Sequence, residues 1–381
     1  MRFNIKLYLK TIYYTFFKSE GTPGRLTPKR LAFVLFVFLF YPLWQLGIRA
    51  AYLFDNIFYP DHLKQKVTEP VFIVGNFRSG STFLHRLLTK DEKSTSFSSW
   101  EIYLAPSVVG RFFFRWLMKI NYSIGNPVRW IIGIFNRIVE KEAVMHEISL
   151  NEAEEDGHVL FHIWSSFDIL AFFPFPALVK DYVYYDDRIP DEEKERDMRY
   201  YSEIVRKHIY AHGGKRYISK NPSYSPKVRT LHQQYPDAKF INLVRNPHQV
   251  IPSCISLYSK HFHNYGDPET EYALQESIIE QSKHWYYYPH QYLKQLPPDQ
   301  YIRVRYKDLV ADPQGTIKHI YNQFGFEISP EYEGVLKIEA EKAKTYKSKH
   351  KYSLTKMGLS PGRIEREFKS VTRQLELDSL E

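Results

Sequence analysis

The sequence predicts an α/β fold: a P-loop-like parallel sheet flanked by helices, with an N-terminal hydrophobic membrane helix. Three observations carry that prediction. Residues 71–88 read as a buried strand, a small-residue loop and a helix. Short apolar strands then alternate with helical patterns as far as residue 324, the arrangement of a parallel sheet covered on both faces. Residues 31–48 contain no charged side chain, although Arg30 and Arg49 bound them.

Taken in order, residues 1–30 form a basic tail, with Arg2, Lys6, Lys10, Lys18, Arg25, Lys29 and Arg30 against Glu20 alone. Residues 31–59 form a hydrophobic membrane-anchor or interfacial helix. The charge-free run is marginal for a span, which wants about 20 apolar residues, and Pro42 and Gln45 weaken it. A secretory leader shares the positive flank, but no small-residue cleavage site stands near Ile48. A single-pass signal anchor, with the basic tail on the cytoplasmic side, fits better. So does a helix lying in the membrane interface, because Tyr52, Phe54, Phe58 and Tyr59 continue past Arg49. A buried helix of a soluble protein has the same composition.

The main domain is expected over residues 68–370. Residues 71–74 are a β-branched apolar run, Gly75, Ser79, Gly80 and Ser81 make the loop, and Phe83, Leu84, Leu87 and Leu88 have helical spacing. Such a turn is an anion cradle, because free amides and the positive helix end point into it. Its frame matches the triphosphate-binding loop except that Ser81 stands where that motif needs lysine. Arg78 is the cation instead, so the loop is expected to grip one phosphate rather than a triphosphate with magnesium.

Residues 111–139 interleave aromatic and basic side chains around Gly125-Asn126-Pro127. The mixture suits a surface touching lipid headgroups or an apolar acceptor, and equally two core helices with snorkelling cations. Residues 151–157 are an acidic helix candidate, capped by Asn151, with Glu152, Glu154, Glu155 and Asp156 at its positive end. His158 and His162 have the spacing of a metal pair but no zinc-protease frame, so they read as structural or substrate-facing. Further strands are expected at 216–219, 239–244 and 301–305, with helices at 192–209, 228–235, 250–258, 271–296 and 317–324. The charged tail from residue 339 reads as extended. Ligands of such sheets sit at the carboxyl ends of the strands, and Arg78, Lys220 and Arg245 each follow a strand.

The net charge of +9 favours anionic ligands or an anionic membrane surface. Zinc-finger spacing and arginine-rich tracts are absent, which argues against nucleic acid. Cys254 is the only cysteine, so there is no intrachain disulfide and no cysteine zinc site, and a reducing compartment is favoured.

These motifs together resemble the sulfotransferases that use 3′-phosphoadenosine 5′-phosphosulfate (PAPS), in their broad, largely uncharacterised branch. The resemblance rests on Phe77-Arg78-Ser79-Gly80-Ser81-Thr82-Phe83-Leu84 after the first strand, and on Leu243-Val244-Arg245-Asn246-Pro247 with Ser253 eight residues past the arginine. Lys220-Asn221-Pro222, Tyr235-Pro236-Asp237-Ala238, Tyr306-Lys307-Asp308-Leu309 and the closing His350-Lys351-Tyr352-Ser353-Leu354 extend it over residues 70–368.

The resemblance implies sulfuryl transfer from PAPS, as co-substrate and without a metal, to a hydroxyl or amine of a glycolipid, carbohydrate or other acceptor. It implies that Arg78, Ser79, Gly80, Ser81 and Thr82 hold the 5′-phosphate and that Arg245 and Ser253 hold the 3′-phosphate. Tyr352 joins the donor site, and Lys220 bonds the bridging oxygen as charge develops there. The acceptor base is expected at Glu155, then Glu154, then His146, because Asn221-Pro222 stands where cytosolic relatives carry Thr-His after the lysine. A P-loop-like nucleotide-binding or kinase-type protein without sulfuryl transfer is the competing reading.

Overall fold

The computed structural model describes residues 3–125, 152–267, 274–345 and 354–377. Its centre is strand β1 (Val71–Gly75), whose apolar run is buried at every position. The loop after it leads into α3 (Ser81–Leu88), and β2 (Ser94–Thr95), α4 (Ser99–Tyr103) and α5 (Val108–Ser123) follow. Then come α6 (Asp191–Ala211), β3 (Arg216–Lys220), α7 (Val228–Gln234), β4 (Lys239–Val244), α8 (Pro247–Tyr265) and α9 (Gln275–Leu293). Strand β5 (Tyr301–Arg305) is followed by α10 (Tyr306–Ala311), α11 (Pro313–Phe324), α12 (Pro330–Thr345) and α13 (Pro361–Gln374). Before all of these, α1 spans Ile5–Phe17 and α2 spans Pro28–Phe58.

Among the described residues, five strands form one parallel sheet in the order β2-β3-β1-β4-β5. Side chains of β1 alternate between its faces, as a pleated strand requires. Phe72 and Val74 pack with Tyr201 and Val205 of α6 and Val228 and Leu231 of α7. Val71 and Ile73 pack with Leu84 and Leu87 of α3 and Ile317 and Ile320 of α11. Burial on both faces is why these strands read as continuous apolar runs. A third cluster, built around Trp164, Phe167, Val250 and Trp285, fills the space between the strand ends and the N-terminal helices.

Three expectations need correction. The basic stretch before residue 30 is not a loose tail. Asn4 caps α1 by accepting from the Leu7 amide (3.1 Å), and Trp164 Nε1 donates to Thr11 Oγ1 (3.1 Å), so the helix is packed on the domain. The acidic stretch does not start an α-helix at Asn151: Ala153 forms an antiparallel bridge with Ser98, the Glu154 amide donates to the Phe97 carbonyl (2.9 Å), and only from Asp156 does a 3-10 helix (Asp156–Ile163) begin. Pairing with a neighbouring turn holds residues 153–154 outside the helix. The tail from residue 339 is not extended where described. α12 occupies its start, and α13 buries Ile364, Phe368 and Val371, a helical spacing obscured by the charges between them. The hydrophobic helix, by contrast, ends at Phe58, within one residue of the expected bound.

α2 is long and apolar enough to cross a membrane, yet it is strapped to the domain. Tyr41 donates to the Phe161 carbonyl (2.7 Å) and Gln45 Nε2 to His162 Nδ1 (2.9 Å), while Asp55 pairs with Lys207 at 3.1 Å. His162 Nε2 in turn donates to the Ile102 carbonyl (2.7 Å), so this histidine is structural, and burial pushes its pKa down to about 4. Both side chains of the Asp55–Lys207 pair are fully buried, and Lys207 lies 3.8 Å from the centre of the Tyr52 ring.

Removing Asp55 leaves the buried Lys207 with Glu203 (3.0 Å) alone and the Val109 amide without its carboxylate acceptor. Asp55→Ala is therefore expected to cost about 1–3 kcal/mol of stability, read by denaturant titration. Equal stability of Asp55→Ala and the wild type would show that this anchor contributes nothing to the fold.

Candidate active site

The site is built where four parallel strands end. β1 lies between β3 and β4, with Ile73 opposite Lys220 and Gly75 opposite Leu243. Neighbouring strands run about 4.8 Å apart, so Arg78, Lys220 and Arg245 leave adjacent strands on one edge of the sheet. Gly75 is clamped by Ser225, whose hydroxyl accepts from its amide (2.9 Å) and donates to its carbonyl (2.8 Å).

The loop after β1 holds a tight conformation. Gly80 has φ +95°, and a Cβ there would stand 2.4 Å from the Tyr306 ring, so only glycine fits. Arg78 itself has φ +65°, a left-handed conformation that costs a non-glycine residue energy and that the surrounding contacts must hold. Arg78 Nε donates to Ser253 Oγ (2.9 Å) on α8, and Arg245 Nη1 donates to the Arg78 carbonyl (3.0 Å). The Arg245 guanidinium lies 4.1 Å from the centre of the Tyr306 ring, and its Nε donates to Gln249 Oε1 (2.8 Å). Tyr286 fixes the backbone by donating to the Arg245 carbonyl (2.5 Å). The two anion sites expected from separate motifs are thus one continuous network. Ser79 Oγ is buried beneath it and has no hydrogen-bond partner among the described residues. Ser81 and Thr82 form the first turn of α3.

Facing this network is the acidic segment, whose three acids take three directions. Glu154 accepts from Ser99 Oγ (3.4 Å) and from the Glu155 amide (3.0 Å). Asp156 turns into the core, where Tyr201 and Tyr217 donate to it. Glu155 alone meets Lys220, at 2.8 Å. This approach depends on Gly157, because a Cβ there would stand 1.8 Å from Asn221 Nδ2, next to Lys220. His158 follows, sharing a hydrogen bond with the Tyr103 hydroxyl (2.7 Å) and lying 3.9 Å from Asp168.

Electrostatics set the state of these groups. Burial alone would raise the Glu155 carboxyl, but Lys220, with help from His158 and Arg78, outweighs it and holds the group below the ordinary 4.5. Burial pushes Asp168 and Asp156 up. Burial also raises the Cys254 thiol to about 12, so it is no nucleophile at neutral pH. Among the described residues, two acid–histidine groups come close enough to hold a metal: Glu155, His158 and Asp168, and Glu101, His208 and His212. Each already contains a cation, Lys220 in the first and the fully buried Arg111, 3.4 Å from Glu101, in the second. A second positive charge is disfavoured in both.

Arg78, Ser79, Gly80, Ser81, Thr82, Arg245, Ser253, Lys220 and Glu155 therefore converge, and Glu154 lies beside them with its carboxylate engaged elsewhere. Tyr352 and His146 lie outside the described residues. Motif reading missed Ser225, Tyr103 and Tyr286, whose roles depend on partners distant in sequence, and Gln249, whose partner Arg245 stands one helical turn before it. Tyr306 stood in a quoted motif, but nothing local indicated that its ring would cover both Gly80 and Arg245.

Comparison with known proteins gives this geometry its context. Over 261 residues, 67% of the chain, the sequence is 28% identical to the omega-hydroxy-beta-dihydromenaquinone-9 sulfotransferases Stf3 of Mycobacterium bovis and Mycobacterium tuberculosis. The match spans 62% of those relatives' length. The fold is that of sulfotransferase STF9 from Mycobacterium avium (TM-score 0.72, 15% identity, 99% of this chain and 98% of that one). It is also that of sulfotransferase STF1 from Mycobacterium tuberculosis H37Rv (TM-score 0.70, 20% identity, 96% and 92%). A profile of the sulfotransferase family matches residues 70–330, the stretch from the start of β1 to the start of α12 that contains every strand end and cation described above, and the chain belongs to that family.

Proposed function

We propose that this protein transfers the sulfuryl group of PAPS to a hydroxyl of a membrane-borne amphiphile. The observation that carries the reading is the Glu155–Lys220 pair set against the Arg78–Ser253–Arg245 network on adjacent strand ends. PAPS has two separated phosphate groups and a phosphosulfate bridge, and needs cations at each. The residues fit it: Ser79 Oγ is a buried hydroxyl without a hydrogen-bond partner among the described residues, in a loop whose tight turn Gly80 permits.

Arg78, with the loop amides and Ser79, Gly80, Ser81 and Thr82, would hold the 5′-phosphate and neutralise it as the leaving group. Arg245 and Ser253 would hold the 3′-phosphate, the arginine through its planar fork, and Tyr352 would complete the donor site. The S–O bond to the bridging oxygen breaks as the acceptor oxygen bonds to sulfur. The acceptor proton passes to Glu155, and adenosine 3′,5′-bisphosphate leaves. Like phosphoryl transfer, this chemistry consists mainly of positioning and charge stabilisation, and it needs no metal.

Lys220 has two partners in this scheme. Turning from Glu155 to the bridging oxygen, it stabilises the leaving group and also releases the carboxylate that its charge had made a weak base. Burial then raises the Glu155 pKa just when a proton must be taken. Glu154, engaged by Ser99, and His146 are the alternatives for the base.

The acceptor class rests on two supports. The Stf3 relatives are named for a hydroxylated lipid quinone. And α2, the apolar helix, bonds through Tyr41 and Gln45 to the segment that begins at Glu155. Membrane association through the N-terminal helices belongs to the same reading.

Calorimetric titration tests the donor: adenosine 3′,5′-bisphosphate is expected to bind without metal, and tighter binding of magnesium–ATP would overturn the reading. Arg245→Ala is expected to weaken the bisphosphate by about 2–3 kcal/mol, roughly 30- to 150-fold. Glu155→Gln is expected to lower turnover by about 10²- to 10⁴-fold with donor binding intact. Full turnover in that variant would transfer the base to Glu154 or His146. Protonating Glu155 abolishes its role, so activity falls toward acid. The acid limb of kcat/KM, which reports the free enzyme, is expected below pH 4.5, and that of kcat at higher pH. Coincident limbs would show that Lys220 does not move.

A further inference from the structure

We infer that α2 does not cross the membrane: it lies flat in the interface, and with α1 and α5 forms a monotopic docking face for an anionic bilayer. This rests on the membrane association proposed above and decides its geometry.

The first observation is where α2 is held. Arg30 in its first turn donates to the Phe172 carbonyl (3.1 Å), Tyr41 and Gln45 bond the Phe161–His162 backbone and side chain at mid-length, and Asp55 in its last turns pairs with Lys207. Its 31 residues span about 46 Å, and the domain grips one side from end to end. A crossing helix needs only about 20 residues and must be surrounded by lipid or by other satisfied helices. Were α2 to cross, α6 would be carried into hydrocarbon with it. α6 exposes Arg199 and Glu195, one and five residues from the Tyr200 that bonds Tyr52 of α2.

The second observation is what the other side of α2 presents. Leu39, Leu43 and Leu46 are 65–70% exposed, and exposed apolar residues continue from Leu31 to Phe58. α1 lies alongside through Tyr8 and Phe16 against Phe38, and adds exposed Leu9 and Phe17. α5 joins the far end through Tyr59 against Phe112, and adds exposed Trp116 and Tyr122. Apolar area of this extent on one side marks an interaction surface.

The third observation is charge. Lys6, Lys10, Lys29, Arg49 and Lys119 are exposed on these three helices. Their one acidic residue is Asp55, which is buried against Lys207. An apolar face on helices whose exposed charges are all cationic, with tryptophan and tyrosine among its apolar residues, suits the headgroup region of an anionic leaflet. It would also bring the acceptor to Glu155 from within the bilayer, because the α2 contacts with Phe161 and His162 lie six and seven residues from that carboxylate.

Topology decides between lying flat and crossing. Cys254 is buried, so single cysteines introduced by Lys29→Cys and Asp61→Cys report the two ends of α2. In sealed membranes from cells expressing the full chain, an impermeant maleimide is expected to treat both ends alike, labelling both or neither until detergent is added. Labelling of one end only would establish a crossing helix, overturning this inference while leaving membrane association standing. In flotation assays the purified chain is expected to rise with phosphatidylglycerol-containing vesicles, less so with pure phosphatidylcholine, and to lose binding as salt increases. Leu39→Glu with Leu43→Glu is expected to reduce flotation roughly tenfold with melting temperature unchanged; should that variant unfold, the labelling result stands alone. A chain that floats with neither vesicle and forms a concentration-dependent dimer would make this face a self-interface and overturn the docking. A wholly soluble monomer would overturn membrane association itself.

Discussion

The lateral pairing of β1 is the constraint on which the rest of the molecule depends. Hydrogen-bonded on one side to β3 and on the other to β4, it is the position where the chain's crossovers change direction. In an all-parallel sheet every strand ends at the same edge, and a crevice opens where neighbouring connections diverge. Three cations that are 142 and 25 residues apart in the chain become neighbours for that reason alone. The clamp of Ser225 on Gly75 and the Tyr306 ring over Gly80 then stiffen the central loop from both flanks.

Charge balance follows from that geometry. Gathering Arg78, Lys220 and Arg245 at one edge is unfavourable unless anions compensate, and Glu155 supplies part of the compensation. The same pairing depresses the carboxylate's basicity, so the ligand-free site rests in a state in which its lysine and its glutamate neutralise one another. In the proposed reaction an anionic donor would compete for Lys220 and free Glu155, which would couple donor occupancy to base strength through one lysine.

α2 shows how one helix can carry two unlike sides. Its inner side carries polar anchors, Gln45 on His162 and Asp55 on Lys207, which would be costly to bury without partners. Its outer side is almost purely apolar. The anchors fix the rotation of the helix, and the rotation determines which residues face outward. Because the mid-helix anchors land on the segment that begins at Glu155, the orientation of the apolar side and the position of the proposed base are tied to the same backbone.

How much of this was legible without coordinates varies element by element. The strands at 239–244 and 301–305 and the loop around Arg78 were readable because both are encoded locally, by apolar runs buried on two faces and by glycines at a tight turn. The pairing of the Arg78 and Arg245 motifs was legible from their likeness to a known family, and their common edge from the rule for parallel sheets. The acidic segment was misread as a helix because three adjacent acids fit a first turn, whereas its conformation is set by a bridge to Ser98, 55 residues earlier. Composition identified α2 as apolar but could not distinguish crossing from lying flat, since that depends on what grips its other side. Residue types and spacing determined the strands, the phosphate loop and the charge of the site. Only the tertiary structure decided which carboxylate meets Lys220 and which side of α2 faces out, because both are set by contacts between segments far apart in the chain.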